Sequence, residues 1–158
     1  TWTEFSSDFE DEMFMAVGSM TIDYFETNNS IQFDFSANQF DYTENSESAS
    51  LTNYVYNFHF TLAEITEDGS GGVESSNYTG LVYFDITSDF VTPIDDTWPT
   101  SGQIILYGIN NTKIRVTAQL NGIDALVELD LEGGEPDGGD GNYETSYTIT
   151  WDELMQVT

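Results

Sequence analysis

Residues 51–63 read LTNYVYNFHFTLA and alternate with a period of two. Tyr54, Tyr56, Phe58, Phe60 and Leu62 fall on one side of an extended chain. Asn53, Val55, Asn57, His59 and Thr61 fall on the other. A helix would scatter these two sets around its surface, whereas a strand separates them. The same rhythm recurs elsewhere, which restricts the possible folds more than any other property. Residues 19–26 alternate up to a Thr27-Asn28-Asn29-Ser30 turn. Residues 31–36 then place Ile31, Phe33 and Phe35 opposite Gln32 and Asp34. Residues 80–87 and 143–151 read as further strands. The expectation is all-β, with 1–158 a single domain: an antiparallel meander of about eight strands. It would close as a barrel or half-barrel, or fold as a two-sheet sandwich.

The C-terminal third specifies its own pairing. Strand 102–108 leads through Asn110-Asn111 into 112–120. Asn121-Gly122 then signals a two-residue type I′ hairpin loop before 123–131. That turn sets Arg115 opposite Glu128 and Lys113 opposite Asp130. Ile114, Val116, Ala118 and Leu120 share the other face with Ala125, Val127, Leu129 and Leu131. The register follows from the turn alone, so the matching of both cations to acids is independent support.

At the N-terminus, the spacing of Phe5, Phe9, Met13 and Ala16 predicts a short helix at about 7–16, within the first 17 residues, capped by Ser6 or Ser7. Polar segments 43–50 and 66–79 read as loops. A long connection over 88–102 is punctuated by Pro93 and Pro99, and 132–142 reads as an acidic, Gly-rich loop. The final DELMQVT reads as a frayed turn.

The surface chemistry is lopsided. Asp and Glu number 29 and the only cations are Lys113 and Arg115, a formal net charge of −27. Nucleic acid is excluded as a partner, because phosphate contacts need Lys and Arg. Anionic membrane surfaces are disfavoured for the same reason. Cations, basic proteins and neutral ligands remain. At 39% hydrophobic and 15% aromatic residues, the chain carries the apolar material that disordered acidic chains lack. With no Cys there is no disulfide or thiolate chemistry. No apolar run approaches the roughly 18 residues of a transmembrane segment. The chain begins at Thr1, and the expectation is a mature or trimmed form.

The acidic loop is the candidate metal site. Asp130, Asp137, Asp140, Asn142 and Glu144 lie close in sequence, and glycines at 133, 134, 138, 139 and 141 permit tight curvature. Calcium takes about six to eight oxygen ligands from such groups. The spacing does not match the Asp-x-Asp-x-Asp-Gly loop with its distal Glu, and the alternative is a solvated hairpin loop. Trp98, beside Pro99, is the candidate exposed aromatic for a glycan. The row Tyr54, Tyr56, Phe58 and Phe60 reads as core, with a sugar-stacking platform as the alternative. His59, the only His, reads as a half-exposed strand residue. No Gly-x-Ser-x-Gly elbow accompanies it, and a zinc site would have one imidazole among carboxylates. No residue is singled out as catalytic, and calcium is the one cofactor suggested.

Several stretches resemble a recurrent pattern in uncharacterised exported proteins and lipoproteins of Gram-negative bacteria. They are Trp98-Pro99-Thr100-Ser101-Gly102-Gln103, Gly108 with Asn110-Asn111-Thr112, the Asp/Gly loop 137–142 with Tyr143-Glu144, and Thr150-Trp151-Asp152-Glu153-Leu154. In that pattern the loop reads Asp-x-Asp-Gly-Asp-Gly before a strand ending in Thr-Trp-x-x-Leu. Residues 131–136 lengthen the loop here. The resemblance implies an envelope location and brings no activity with it.

These readings converge on a non-enzymatic secreted or envelope-associated bacterial protein of binding or structural type, with a highly acidic surface. The alternatives are a carbohydrate-binding module using exposed aromatics, or a carrier of an apolar ligand in an aromatic-lined half-barrel. A glycan-directed hydrolase is more distant.

Overall fold

Alternation becomes strand almost throughout the chain. The computed structural model describes residues 2–9, 12–44, 47–77, 80–131, 133–134 and 138–155. Its strands are β1 (Trp2–Phe9), β2 (Glu12–Glu26), β3 (Ser30–Glu44), β4 (Glu47–Thr61), β5 (Glu64–Ser75), β6 (Val82–Pro93), β7 (Ser101–Tyr107), β8 (Lys113–Ala118), β9 (Asp124–Asp130), β10 (Gly133–Gly134), β11 (Gly138–Gly139) and β12 (Thr145–Thr150). One helix, α1 (Trp151–Leu154), follows β12. Strands β1 to β9 and then β12 form one antiparallel sheet in chain order, while β10 and β11 pair separately. The sheet is open, so the all-β meander holds and neither a closed barrel nor a two-sheet sandwich forms.

The expected N-terminal helix is not there: β1 and the start of β2 occupy that stretch. The spacing i, i+4 of Phe5, Phe9 and Met13 satisfies a period of two as well as 3.6. Pairing partners then decide, and β2 runs antiparallel to β1 from Phe9↔Glu12 onward and to β3 from Phe14↔Glu44. A short helix could not match so many backbone hydrogen bonds.

The predicted loop 66–79 is largely strand β5. Gly69, Gly71 and Gly72 disguised it, since glycine weakens strands. Their use is steric. A Cβ on Gly69 would stand 2.8 Å from the Tyr56 ring, and one on Gly71 2.8 Å from Tyr54 Cα. The two tyrosines thus lie over bare backbone, and their rings supply the cover the glycines lack.

The β8–β9 register is as the sequence specifies, with Arg115↔Glu128 and Lys113↔Asp130. The loop differs. The strands end at Ala118 and Asp124, and the Gly122 amide donates to the Gln119 carbonyl at 3.0 Å. Gly122 takes the left-handed conformation at φ 63°, while Asn121 is absent from the positive-φ residues, so the turn is not type I′. The Asn121 side chain instead accepts from the amides of Ile123 and Asp124, which holds the same register by another route. Of the expected frayed turn, the part up to Met155 forms a capped helical turn, and residues 156–158 lie outside the described residues. Thr150 caps α1 by accepting from the Glu153 amide, and the Glu153 carboxylate accepts from the Thr150 amide, a capping box.

Bulges run across the sheet at Gly18–Thr21, Thr52–Val55, Glu67–Ser70 and Ile86–Val91. They lie on strands that face one another, so they bend the long strands along one line. Beyond that, substantial contacts between the long strands are confined to neighbours in the sheet. A packed core forms at the C-terminal end. Val116, Ala118, Ala125, Val127 and Trp151 are buried together, with Phe90, Trp98, Ile104, Leu129 and Leu154 packed around them. Trp151, delivered by the start of α1, lids β8 and β9.

Candidate functional site

The residues of the acidic loop come together in part. Asp130 ends β9 and is fully buried, the largest side chain among the described residues to be so. It faces Asp140 and Glu144, and one carboxylate oxygen from each of the three lies within 4.8 Å of the others. Asn142 joins through Asp140, which accepts from the Asn142 amide at 2.9 Å and its side-chain nitrogen at 3.0 Å. These bonds, the backbone one first, hold the Asp140 carboxyl below its usual range. The expected ligand Asp137 lies outside the described residues.

Each carboxylate also has work of its own. Asp130 Oδ1 accepts from the Asp140 amide and Oδ2 from the Gly141 amide, both at 3.0 Å. Lys113 Nζ stands 3.9 Å from Oδ2. Glu144 accepts from the Leu131 amide at 3.1 Å. Gly139 lets the loop close, since a Cβ there would be 2.8 Å from Asp130 Oδ1. The arrangement can do two things chemically. It folds the loop back onto the end of β9, and it gathers three carboxylates that could hold a cation. Lys113 already supplies positive charge there, which the sequence indicated through the hairpin register and not as part of an ion site.

Beside it, Arg115 grips Glu128 with two bonds, Nε to Oε2 at 2.6 Å and a terminal nitrogen to Oε1 at 2.7 Å. The Arg115 hydrogen bond depresses the Glu128 pKa. The guanidinium also sits 3.9 Å from the centre of the Tyr143 ring, a contact that sequence spacing did not reveal.

The second feature is one face of the sheet. Register places Tyr24, Phe33, Phe58 and Glu67 in a row across β2 to β5, with Ile22, Phe35, Tyr56 and Gly69 in the next. The rings touch: Tyr24–Phe33 centroids are 5.2 Å apart, Phe35–Phe58 6.0 Å edge-on, Tyr56–Phe58 4.8 Å and Tyr54–Phe84 5.8 Å. The face continues through Leu106 and Ile104 to Ile114 and Val116, where the core begins. Tyr54, Tyr56, Val82, Phe84, Ile104 and Leu106 line an open apolar trough of ≈ 480 Å³. The expected aromatic row is therefore on an apolar face, yet its members are only half-buried. Tyr56 donates to Glu67 at 2.8 Å, and burial, then that carboxylate, pushes its hydroxyl pKa well up.

Trp98 is half-buried and packs against the core. Its ring stacks on Trp151 at 6.1 Å and its Nε1 donates to Asp152 at 3.0 Å. His59 is exposed on the opposite face, across from Gln32 and Thr66. A polar groove of ≈ 490 Å³ lies near the far ends of β3 to β5, where Gln39, Asp41 and Ser50 bond one another. No helix among the described residues is long and apolar enough to cross a membrane. No family model, curated protein or solved structure matches the chain.

Proposed function

We propose that the chain is a non-enzymatic protein of binding or structural type, secreted or held in a bacterial envelope, whose working surface is the apolar face of β2–β7. The observation that carries this reading is the contiguous aromatic face with no layer over it among the described residues. Soluble proteins seldom leave an apolar patch larger than a few hundred Å² unless something binds there. The acidic residues keep such a protein dispersed in saline surroundings, because salt screens their repulsion.

A neutral apolar dye tests the reading, because the chain's charge would repel an anionic one. Titrated into dilute protein, the dye binds saturably, and Tyr56→Ser with Phe84→Ser removes the binding while the far-ultraviolet circular dichroism is kept. Absence of dye uptake, together with absence of any association through this face, refutes it. A second reading, calcium binding at the acidic loop, is supported by the convergence of Asp130, Asp140 and Glu144.

A further inference from the structure

We infer that the partner of the apolar face is a second copy of this chain. Two open sheets stack face to face, about 10 Å apart as in a β-sandwich, and share a core that neither copy completes alone. The inference rests on the reading of that face as the working surface.

Area argues for an occupant of this size. The chain exposes 10306 Å². A compact monomer of its 17.7 kDa mass would expose about 7,900 Å² by the usual scaling, so about 2,400 Å² is left over, shared between the two faces of the open sheet. Obligate homodimers bury roughly 1,000–2,500 Å² on each partner, in interfaces that look like a domain core cut in half. The pattern of burial matches that description. The chain has 11 Phe and 9 Tyr. Not one Phe, Tyr or Leu whose side chain is described is buried, although Phe33, Phe35, Phe58 and Phe60 sit in the middle of the sheet. A small apolar molecule in the ≈ 480 Å³ trough would cover Tyr54, Tyr56 and Phe84 and leave those four phenylalanines half-buried as they are.

Charge permits the pairing. Alternation sends Asp23, Asp34, Asp68 and Asp85 to the opposite face. On the aromatic face the carboxylates include Glu67, to which the Tyr56 hydroxyl already donates, and Glu26 at its edge, to which the Tyr24 hydroxyl donates. In the stacked pair the acidic coats face outward on opposite sides, further apart than the screening length of about 8 Å at physiological ionic strength. Such an interface is isologous and closes on itself, so it stops at two copies.

The test is mass in solution. Sedimentation or light scattering over a wide dilution series returns twice the 17.7 kDa chain mass when the protein is concentrated, and more dimer as salt is raised. Phe58→Asp returns the single-chain mass with its circular dichroism retained. A second measurement stands even if that variant fails to fold. The chain has no Cys, so one introduced thiol reports its surroundings. Phe35→Cys is protected from a maleimide in concentrated protein and reacts on dilution, whereas Asp34→Cys, on the opposite face, reacts equally at both concentrations. A single-chain mass at every concentration and salt, with both thiols equally reactive, overturns the inference. In that outcome, saturable uptake of the neutral dye leaves the working-surface reading intact, and no uptake removes both.

Discussion

Replacing Asp130 by Asn separates the two tasks of the acidic loop. The carboxylate is fully buried and takes one backbone amide on each oxygen, from Asp140 and Gly141. Asparagine has the same shape but one acceptor. Its NH₂ would face a buried N–H, so one charge-assisted bond is lost and a donor is left unsatisfied. The first contributes about 1.5–3 kcal/mol and the second costs about 1–3 kcal/mol. Lys113, 3.9 Å away, also loses its counter-charge. A loss of about 3 kcal/mol is expected, which for a chain of this size lowers Tm by about 6–12 °C. Asp140→Asn is the control. Asp140 is exposed, and its bonds to Asn142 are local, so its loss falls within about 0.5 kcal/mol. Thermal melts without calcium, followed by circular dichroism, measure both. A drop below about 0.5 kcal/mol for Asp130→Asn would refute the anchoring role. Melts with calcium, against a monovalent salt of equal ionic strength, then read the ion site: specific binding raises the wild-type Tm further than screening does, and both substitutions abolish that extra rise. Equal shifts in the two salts refute the site.

Three further outcomes follow from the geometry. Because Arg115 holds the Glu128 pKa below its unfolded value, the pair contributes stability that is complete above the unfolded carboxylate pKa and fades as pH falls through the lower, folded one. Glu128→Gln therefore lowers Tm at neutral pH and converges with the wild type in acid, and parallel melting curves across that range would contradict this. Gly102→Ala costs more than about 2 kcal/mol in urea denaturation, since φ is 125° and the Cβ would stand 2.5 Å from Phe90 Cα, whereas Gly80→Ala, at φ 98° with open space around it, costs about 1 kcal/mol. Trp98→Ala removes the stack on Trp151 and opens the core, lowering stability by about 3–5 kcal/mol and flattening the near-ultraviolet circular dichroism.

Where side-chain period and loop length agreed, the sequence was readable to the residue even though the turn type was not. Lys113 and Arg115 met Asp130 and Glu128 because a strand slip would have turned Val116 and Val127 outward. The face occupied by Tyr54, Tyr56, Phe58 and Phe60 was equally legible. Misreadings came from ambiguity or from partners distant in sequence. Phe5, Phe9 and Met13 fit both periods. Gly69 and Gly71 looked like loop until Tyr54 and Tyr56 were placed over them. Trp98 looked exposed because its cover, Trp151, arrives more than fifty residues later. Asp130 was legible as a strand end opposite Lys113, but its complete burial depends on Gly139 folding back over it, which no local rule announces.

A meander whose strands make their substantial contacts with their neighbours in the sheet has a thermodynamic consequence. Stability in such a sheet is nearest-neighbour: each inner strand is held by its two flanking seams, and no substantial contact ties β2 to β8 among the described residues. Opening can therefore proceed strand by strand instead of all at once, as in repeat arrays. The end locked by Trp151, Val116 and Val127 resists, and the isolated chain unzips from the β2–β3 side. Amide exchange should show this as a slope of protection along the chain, steepest to lose at the N-terminal strands and slowest at β8 and β9. Any partner that covers the aromatic face would flatten that slope, turning a zipper into a single cooperative unit.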